Sequence, residues 1–174
     1  ASFPSRATER AVDRIRNRKL RIAALARRFR NQVETGEAIG RLSAAGMDLD
    51  AIVVQGTDTA SLEKGPGHFP ETLFPGEGST VGIAGHRTTY GAPFRSADSM
   101  ERGDRIVLEM PYATIVYRVQ KTSIVEPSAV GVVEDVGYER LVLTTCHPLY
   151  SAEQRLIVFA RAVGARLDPR VRRS

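Results

Sequence analysis

Residues 8–34 carry no glycine or proline, and their apolar positions fall three and four apart. Val12, Ile15, Ile22, Ala26, Phe29 and Val33 form the stripe, with Lys19 at the position that would complete it. That period predicts an amphipathic helix with a narrow apolar face. Thr8 is its expected N-cap, and Glu9 and Asp13 sit near the positive end of the helix dipole. Such a helix is expected to lie on the surface of the rest of the chain. From about residue 37 the helical spacing gives way to short apolar runs separated by Gly, Pro, Asp and Ser clusters. Strands are predicted at Ala38–Leu42, Leu49–Val54, Ser79–His86, Arg105–Met110, Thr114–Thr122, Arg140–Cys146 and Gln154–Val163. Ala92–Met100 reads as a short helix before a turn at Gly103-Asp104, and residues 127–133 as one further piece. Many short strands with turn signals between them predict a mainly β fold, closed or sandwiched. The expected organisation is a helix at 1–35, a β domain at 36–167 and a tail at 168–174.

The chain has 174 residues, enough for one domain. An apolar share of 42% with 26% charged residues can bury a core, which excludes disorder as the general state. There is no tryptophan and there are only eleven aromatic residues, which argues against a base-stacking surface for single-stranded nucleic acid. The longest apolar runs, Ile22 to Ala26 and Leu156 to Ala160, have five residues each. A membrane span needs about 20. The chain begins at Ala1, and a targeting segment is expected to precede it.

Charge is unevenly placed. Residues 1–35 carry ten Arg/Lys and three Asp/Glu, residues 36–165 carry eleven and sixteen, and residues 166–174 carry four and one. The β domain is thus mildly acidic between two basic ends. A nucleic-acid-binding domain would place its excess on the folded surface. Basic ends fit either solvated tails or an attraction to anionic surfaces such as lipid headgroups.

One cysteine, Cys146, excludes an internal disulfide and any multi-cysteine zinc site. A zinc site from this thiol and the three histidines lacks compact ligand spacing, so no metal and no cofactor is expected. Cys146 ends an apolar run and is followed by His147-Pro148. In an extended chain neighbouring side chains point to opposite faces, and Pro148 keeps His147 extended, so His147 should not meet the thiol. His68 and His86 remain as bases. His86 closes the run Val81-Gly82-Ile83-Ala84-Gly85 at a strand end, and Gly85 leaves room beside it. His68 lies in a Gly/Pro-rich loop. Arg155 follows the cysteine by nine residues across a turning segment. If the two flanking strands pair antiparallel, its guanidinium returns near the sulfur as a fixed cation able to steady an oxyanion.

Leu143-Thr144-Thr145-Cys146-His147-Pro148 with Gln154-Arg155 resembles the active-site strand pair of sortases. Gly82 to Phe94, with its Gly-His-Arg-Thr-Thr-Tyr run, resembles the histidine segment of the same family, as does Gly65 to Thr72 with Pro75-Gly76-Glu77 after it. Gly103-Asp104-Arg105-Ile106 matches the start of the next strand. The resemblance covers roughly residues 36 to 163 and is strongest to the class E sortases of actinobacteria. One departure is Ser43 to Asp48, where relatives more often carry a Pro-containing, more apolar run.

The resemblance implies an eight-stranded sortase-type β-barrel with short helices and an added N-terminal helix. It implies a cysteine transpeptidase in which Cys146, His86 and Arg155 take the family's catalytic positions and His68 takes none. Thr145 would give a hydroxyl or backbone contact to the substrate, and Tyr90 a hydroxyl near the second residue of the signal. The implied partners are secreted proteins with a C-terminal sorting signal, Leu-Ala-X-Thr-Gly in preference to Leu-Pro-X-Thr-Gly, and a cell-wall amine as acceptor. The implied location is the outer face of the membrane, held by one anchor that this chain lacks. Rival readings are a hydrolytic cysteine protease, a pilus-polymerising sortase, and a non-catalytic β module that docks on membranes through its basic ends.

Overall fold

The structure, a computed structural model, describes residues 5–147 and 151–171; the imidazole of His147, and with it the expectation for that side chain, lies outside the described residues. Eight strands close into a barrel: β1 (Ala38–Ala44), β2 (Leu49–Gln55), β3 (Gly67–His68), β4 (Thr80–Ala84), β5 (Arg105–Glu109), β6 (Ala113–Val125), β7 (Arg140–His147) and β8 (Gln154–Leu167). Their order around the barrel is β1-β2-β3-β4-β7-β8-β6-β5, and β5 pairs with β1 to close it. Most neighbours are antiparallel, but β2 with β3 and β4 with β7 run parallel. Inward residues such as Leu42, Ile83, Ile106, Ile115, Tyr117, Leu141 and Leu143 fill the interior, each at most 1% exposed. Closure gives each strand two neighbours, so the barrel has no edge strand among the described residues. The long strands β6 and β8 bend around the barrel at two register shifts, between Val116 and Tyr117 and between Val119 and Lys121.

A mainly β fold is what the apolar pattern predicts, and the barrel is what the resemblance implies. Its details differ in physical ways. β3 is two residues long inside the Gly/Pro-rich loop, too short for any periodicity to reveal. β4 stops at Ala84, two residues before the expected end. β6 continues to Val125 and β8 to Leu167 because their backbones stay paired with each other beyond the apolar runs. Ala92–Met100 forms only a single 3-10 turn at Ala97–Ser99, and a further 3-10 turn covers Val130–Val133. Helix α2 (Thr59–Lys64) was not predicted, although Asp58 caps it by accepting from the Ser61 N–H at 3.3 Å. The unusual Ser43 to Asp48 run ends β1 at Ala44 and makes one 3-10 turn, with Met47 buried and Asp48 in the left-handed region at φ 49°.

Helix α1 runs Arg6–Gln32, and its N-cap is Ser5 rather than Thr8. The Ser5 hydroxyl accepts from the Thr8 N–H at 3.2 Å, so Thr8 is the capped residue and not the cap. Only the second half of α1 seats on the barrel. Ile22 and Ala26 are buried, and Phe29 packs 5.7 Å from Phe74 and 6.0 Å from Tyr112 between ring centroids. Arg30 grips Glu77 with two hydrogen bonds of 2.9 and 3.1 Å. The first half stands off: Val12 is 56% and Ile15 47% exposed, and a groove of about 790 Å³ separates this half from Val163, Gly164 and Ala165 of β8.

Candidate active site

Register alone sets which side chains can meet. On β7, Leu141 and Leu143 belong to the main core, whereas Val142 belongs to a second cluster with Ile157 and Phe159. Cys146 shares the parity of Val142 and Thr144, so its thiol points to that outer face. On β8, Phe159 pairs with Val142, Ile157 with Thr144, and Arg155 with Cys146. Arg155 is therefore the direct cross-strand neighbour of the cysteine, on the same face. On β4, the parallel register sets Gly82 beside Val142 and Ala84 beside Thr144. Continued by two residues, it brings His86 level with Cys146. Because β4 and β7 are parallel, their C-terminal ends lie at one rim, and β8, antiparallel to β7, begins there.

The three side chains line one cleft of about 390 Å³. Its walls are largely apolar and include Leu62, Phe69, Val125, Val132 and Ile157. The end of β6 and the segment after it cover the face beyond, where Val125, Val132 and Val133 pack against the second cluster. Cys146 is half-buried and outside any disulfide. Arg155 Nη1 donates to the carbonyls of Ala152 at 3.1 Å and Gln154 at 3.0 Å, which holds the guanidinium at the head of β8.

His86 is held through its neighbours. The Gly85 N–H donates to the Thr144 carbonyl at 3.1 Å, extending the β4–β7 pairing past the strand end. Phe94 folds back so that its N–H donates to the His86 carbonyl at 3.0 Å. Its ring lies on Gly85, where an added Cβ would come within 2.8 Å of ring carbons. The space that glycine leaves beside His86 is thus filled by Phe94, which is fully buried.

The remaining expected residues have more specific places. Thr145 is 4% exposed, and its hydroxyl donates to the Gly85 carbonyl at 2.7 Å. That hydroxyl clamps the histidine segment to β7, and Thr145 also lines the cleft. Tyr90 has its ring centroid 5.1 Å from that of His86, and its hydroxyl donates to Glu63 at 3.2 Å. It backs the histidine and lies outside the residues lining the cleft. His68 is 1% exposed, and both ring nitrogens are engaged, Nδ1 with Gln55 at 2.8 Å and Nε2 with Leu73 and Thr72 at 2.9 and 3.0 Å. Burial pushes its pKa down to about 4, so it is neutral and structural at physiological pH.

Arg87 escaped the sequence reading. It is 4% exposed, and its Nη1 donates to the Cys146 carbonyl at 3.1 Å. Its position directly after a strand-end histidine was visible, but nothing in the sequence marks an arginine as pointing inward.

Comparison with known proteins agrees with this geometry. A family model described as Sortase domain matches residues 42–163. Sortase D of Bacillus subtilis is 34% identical over 134 residues, covering 75% of this chain and 66% of the relative. Sortase SrtE1 of Streptomyces coelicolor is 31% identical over 149 residues, covering 76% of this chain and 42% of the relative. The chain thus spans about two thirds and two fifths of the lengths of these curated relatives. Among solved structures, sortase E1 from Streptomyces coelicolor with a tripeptide in the active site superposes with a TM-score of 0.72 at 28% identity, over 76% of this chain and 91% of that one. The SrtA sortase from Actinomyces oris gives 0.73 at 29%, over 78% and 85%. The family model covers most of the β-barrel together with Cys146, His86 and Arg155, and the chain belongs to the sortase family.

Proposed function

We propose that this chain is a cysteine transpeptidase that cuts a sorting signal between threonine and glycine and passes the acyl part to an amine. The observation that carries the reading is the convergence of Cys146, His86 and Arg155 on one cleft with apolar walls. Cys146 sulfur attacks the threonine carbonyl carbon. The guanidinium of Arg155, the cysteine's cross-strand neighbour, steadies the charge that develops on the carbonyl oxygen. As the bond to glycine breaks, His86 gives its proton to the departing amine, leaving a thioester on Cys146. An incoming amine then attacks that thioester, His86 takes its proton, and the thiolate leaves as the new amide forms.

The cleft suits an extended peptide with an aliphatic side chain, because Leu62, Phe69 and Val125 give it apolar wall beside the charged groups Glu71, Glu126 and Arg155. The preference for Leu-Ala-X-Thr-Gly over Leu-Pro-X-Thr-Gly is supported by the likeness to class E sortases. A cell-wall amine is the acceptor, and secreted proteins bearing the signal are the donors. The location is the outer face of the membrane; the basic first half of α1 supports it, with Arg6, Arg10, Arg14, Arg16, Arg18 and Lys19 against Glu9 and Asp13.

The test mixes the protein with the two signal peptides and an amine such as triglycine. Ligated product from the alanine peptide, in excess over that from the proline peptide, is expected. Free acid without ligation would replace the reading with a hydrolytic protease, and equal rates for the two peptides would remove the class-specific preference.

A further inference from the structure

We propose that Arg87 is a positioning residue for the Cys146–His86 pair, acting as a cross-link between the segment after β4 and the carbonyl of the nucleophile's own residue. The inference deepens the proposed function and rests on it for the roles of Cys146 and His86. Three observations carry it. First, β4 ends at Ala84, so His86 lies two residues beyond the strand. Second, the links that continue the alignment sit on both sides of His86. Before it, Gly85 N–H reaches the Thr144 carbonyl, and the Thr145 hydroxyl reaches the Gly85 carbonyl. After it, Arg87 Nη1 reaches the Cys146 carbonyl at 3.1 Å. Arg87 is thus the link to β7 on the C-terminal side of His86 among the described residues.

Third, the guanidinium is itself held. Its Nη2 lies 3.2 Å from Asp98 Oδ1, and its Nε donates to the Arg95 carbonyl at 3.4 Å. A charge that is 4% exposed persists only when paired and hydrogen-bonded. Here one arm of the fork is held by the loop that follows His86, and the other grips the cysteine's carbonyl. The planar fork of arginine can span two such acceptors in fixed directions, which a lysine ammonium cannot. A displacement of about 1 Å in such a pair is enough to lower a rate by about 10²-fold.

The test compares the wild-type protein with Arg87→Met, Arg87→Lys and Asp98→Asn. Two readouts are used: steady-state transfer of the signal peptide to triglycine, and the ring NMR signals of His86 before and after capping Cys146 with methyl methanethiosulfonate. In the wild-type protein capping moves the His86 signals. In Arg87→Met that response falls below half, and kcat drops by about 10- to 100-fold with KM nearly unchanged. Arg87→Lys recovers less than half of the loss, since charge alone does not restore the fork. Asp98 is 60% exposed in its side chain, so Asp98→Asn leaves the fold intact and lowers kcat about threefold. A folded Arg87→Met protein with a wild-type capping response, or with kcat within about twofold of wild type, overturns the proposal. If Arg87→Met does not fold, an unchanged kcat in Asp98→Asn overturns it instead. The capping response needs no peptide, so a wild-type protein that transfers nothing defeats the functional reading while the response still judges Arg87.

Discussion

His68 and His86 show how one residue type takes opposite parts within a short stretch of chain. His86 lines the cleft, whereas the His68 ring stands edge-on to Phe74 at 4.7 Å, with its nitrogens engaged inside the barrel. The pKa of His68, pushed by burial from the ordinary 6.5 to about 4, has a consequence for stability. Between those values the unfolded chain binds a proton that the folded chain refuses. Stability therefore falls as pH drops through 6.5 towards 4, by about 3 kcal/mol from this group alone. Glu139 works the other way. Burial raises its carboxyl pKa despite hydrogen bonds from Tyr117, Gly76 and Gly78, so its contribution grows as pH falls. Urea unfolding of wild type and His68→Gln at pH 7.5 and pH 4 separates the two groups. The variant is expected to lose the larger part of the wild-type difference, and equal differences in both proteins would contradict this assignment. At this scale the sequence marked Cys146, His86 and Arg155 by their places at strand ends. It could not mark Arg87 or the second duty of Thr145, because inward direction and the partner of a hydroxyl depend on register that no local pattern encodes.

Helix α1 was legible as an element, but its two halves behave differently. Ile22, Ala26 and Phe29 repeat at helical spacing and seat on the barrel, while Val12 and Ile15 continue the same stripe but stay about half exposed. Periodicity reports which face is apolar and is silent about how far the partner surface extends. The exposed half joins Val12, Ile15 and Leu20 to six basic side chains, an arrangement that suits the boundary between anionic headgroups and acyl chains. Co-sedimentation with vesicles containing phosphatidylglycerol is expected to recover the protein at low salt, and recovery should fall for the double variant Arg14→Glu, Arg18→Glu. Equal recovery on neutral phosphatidylcholine vesicles would contradict a membrane role for this half. The strands were legible where apolar runs are bounded by turns. β3 was not, being two residues between glycine and proline, and β4 ended early because Phe94 packs over Gly85 and takes the chain out of the sheet.

Across the whole molecule, closure of the barrel is what turns distant stretches of sequence into one site. The parallel pairing of β4 with β7 brings two strand ends to the same rim, and the antiparallel return of β8 starts from it. Residues 60 positions apart, His86 and Cys146, become neighbours by topology rather than by any local signal. The apolar pattern was sufficient for a mainly β fold, closed or sandwiched, whereas the closed barrel came within reach only through family resemblance. The central claim is that this rim makes Cys146 a nucleophile towards a signal peptide. Intact-mass measurement of the protein after brief mixing with a Leu-Ala-X-Thr-Gly peptide at limiting amine tests it most directly. A mass increase equal to the acyl fragment up to threonine is expected, lodged on Cys146, removed by hydroxylamine and missing in Cys146→Ala. An unmodified Cys146 while the peptide is nonetheless cleaved, or an adduct that survives the loss of that thiol, would contradict it.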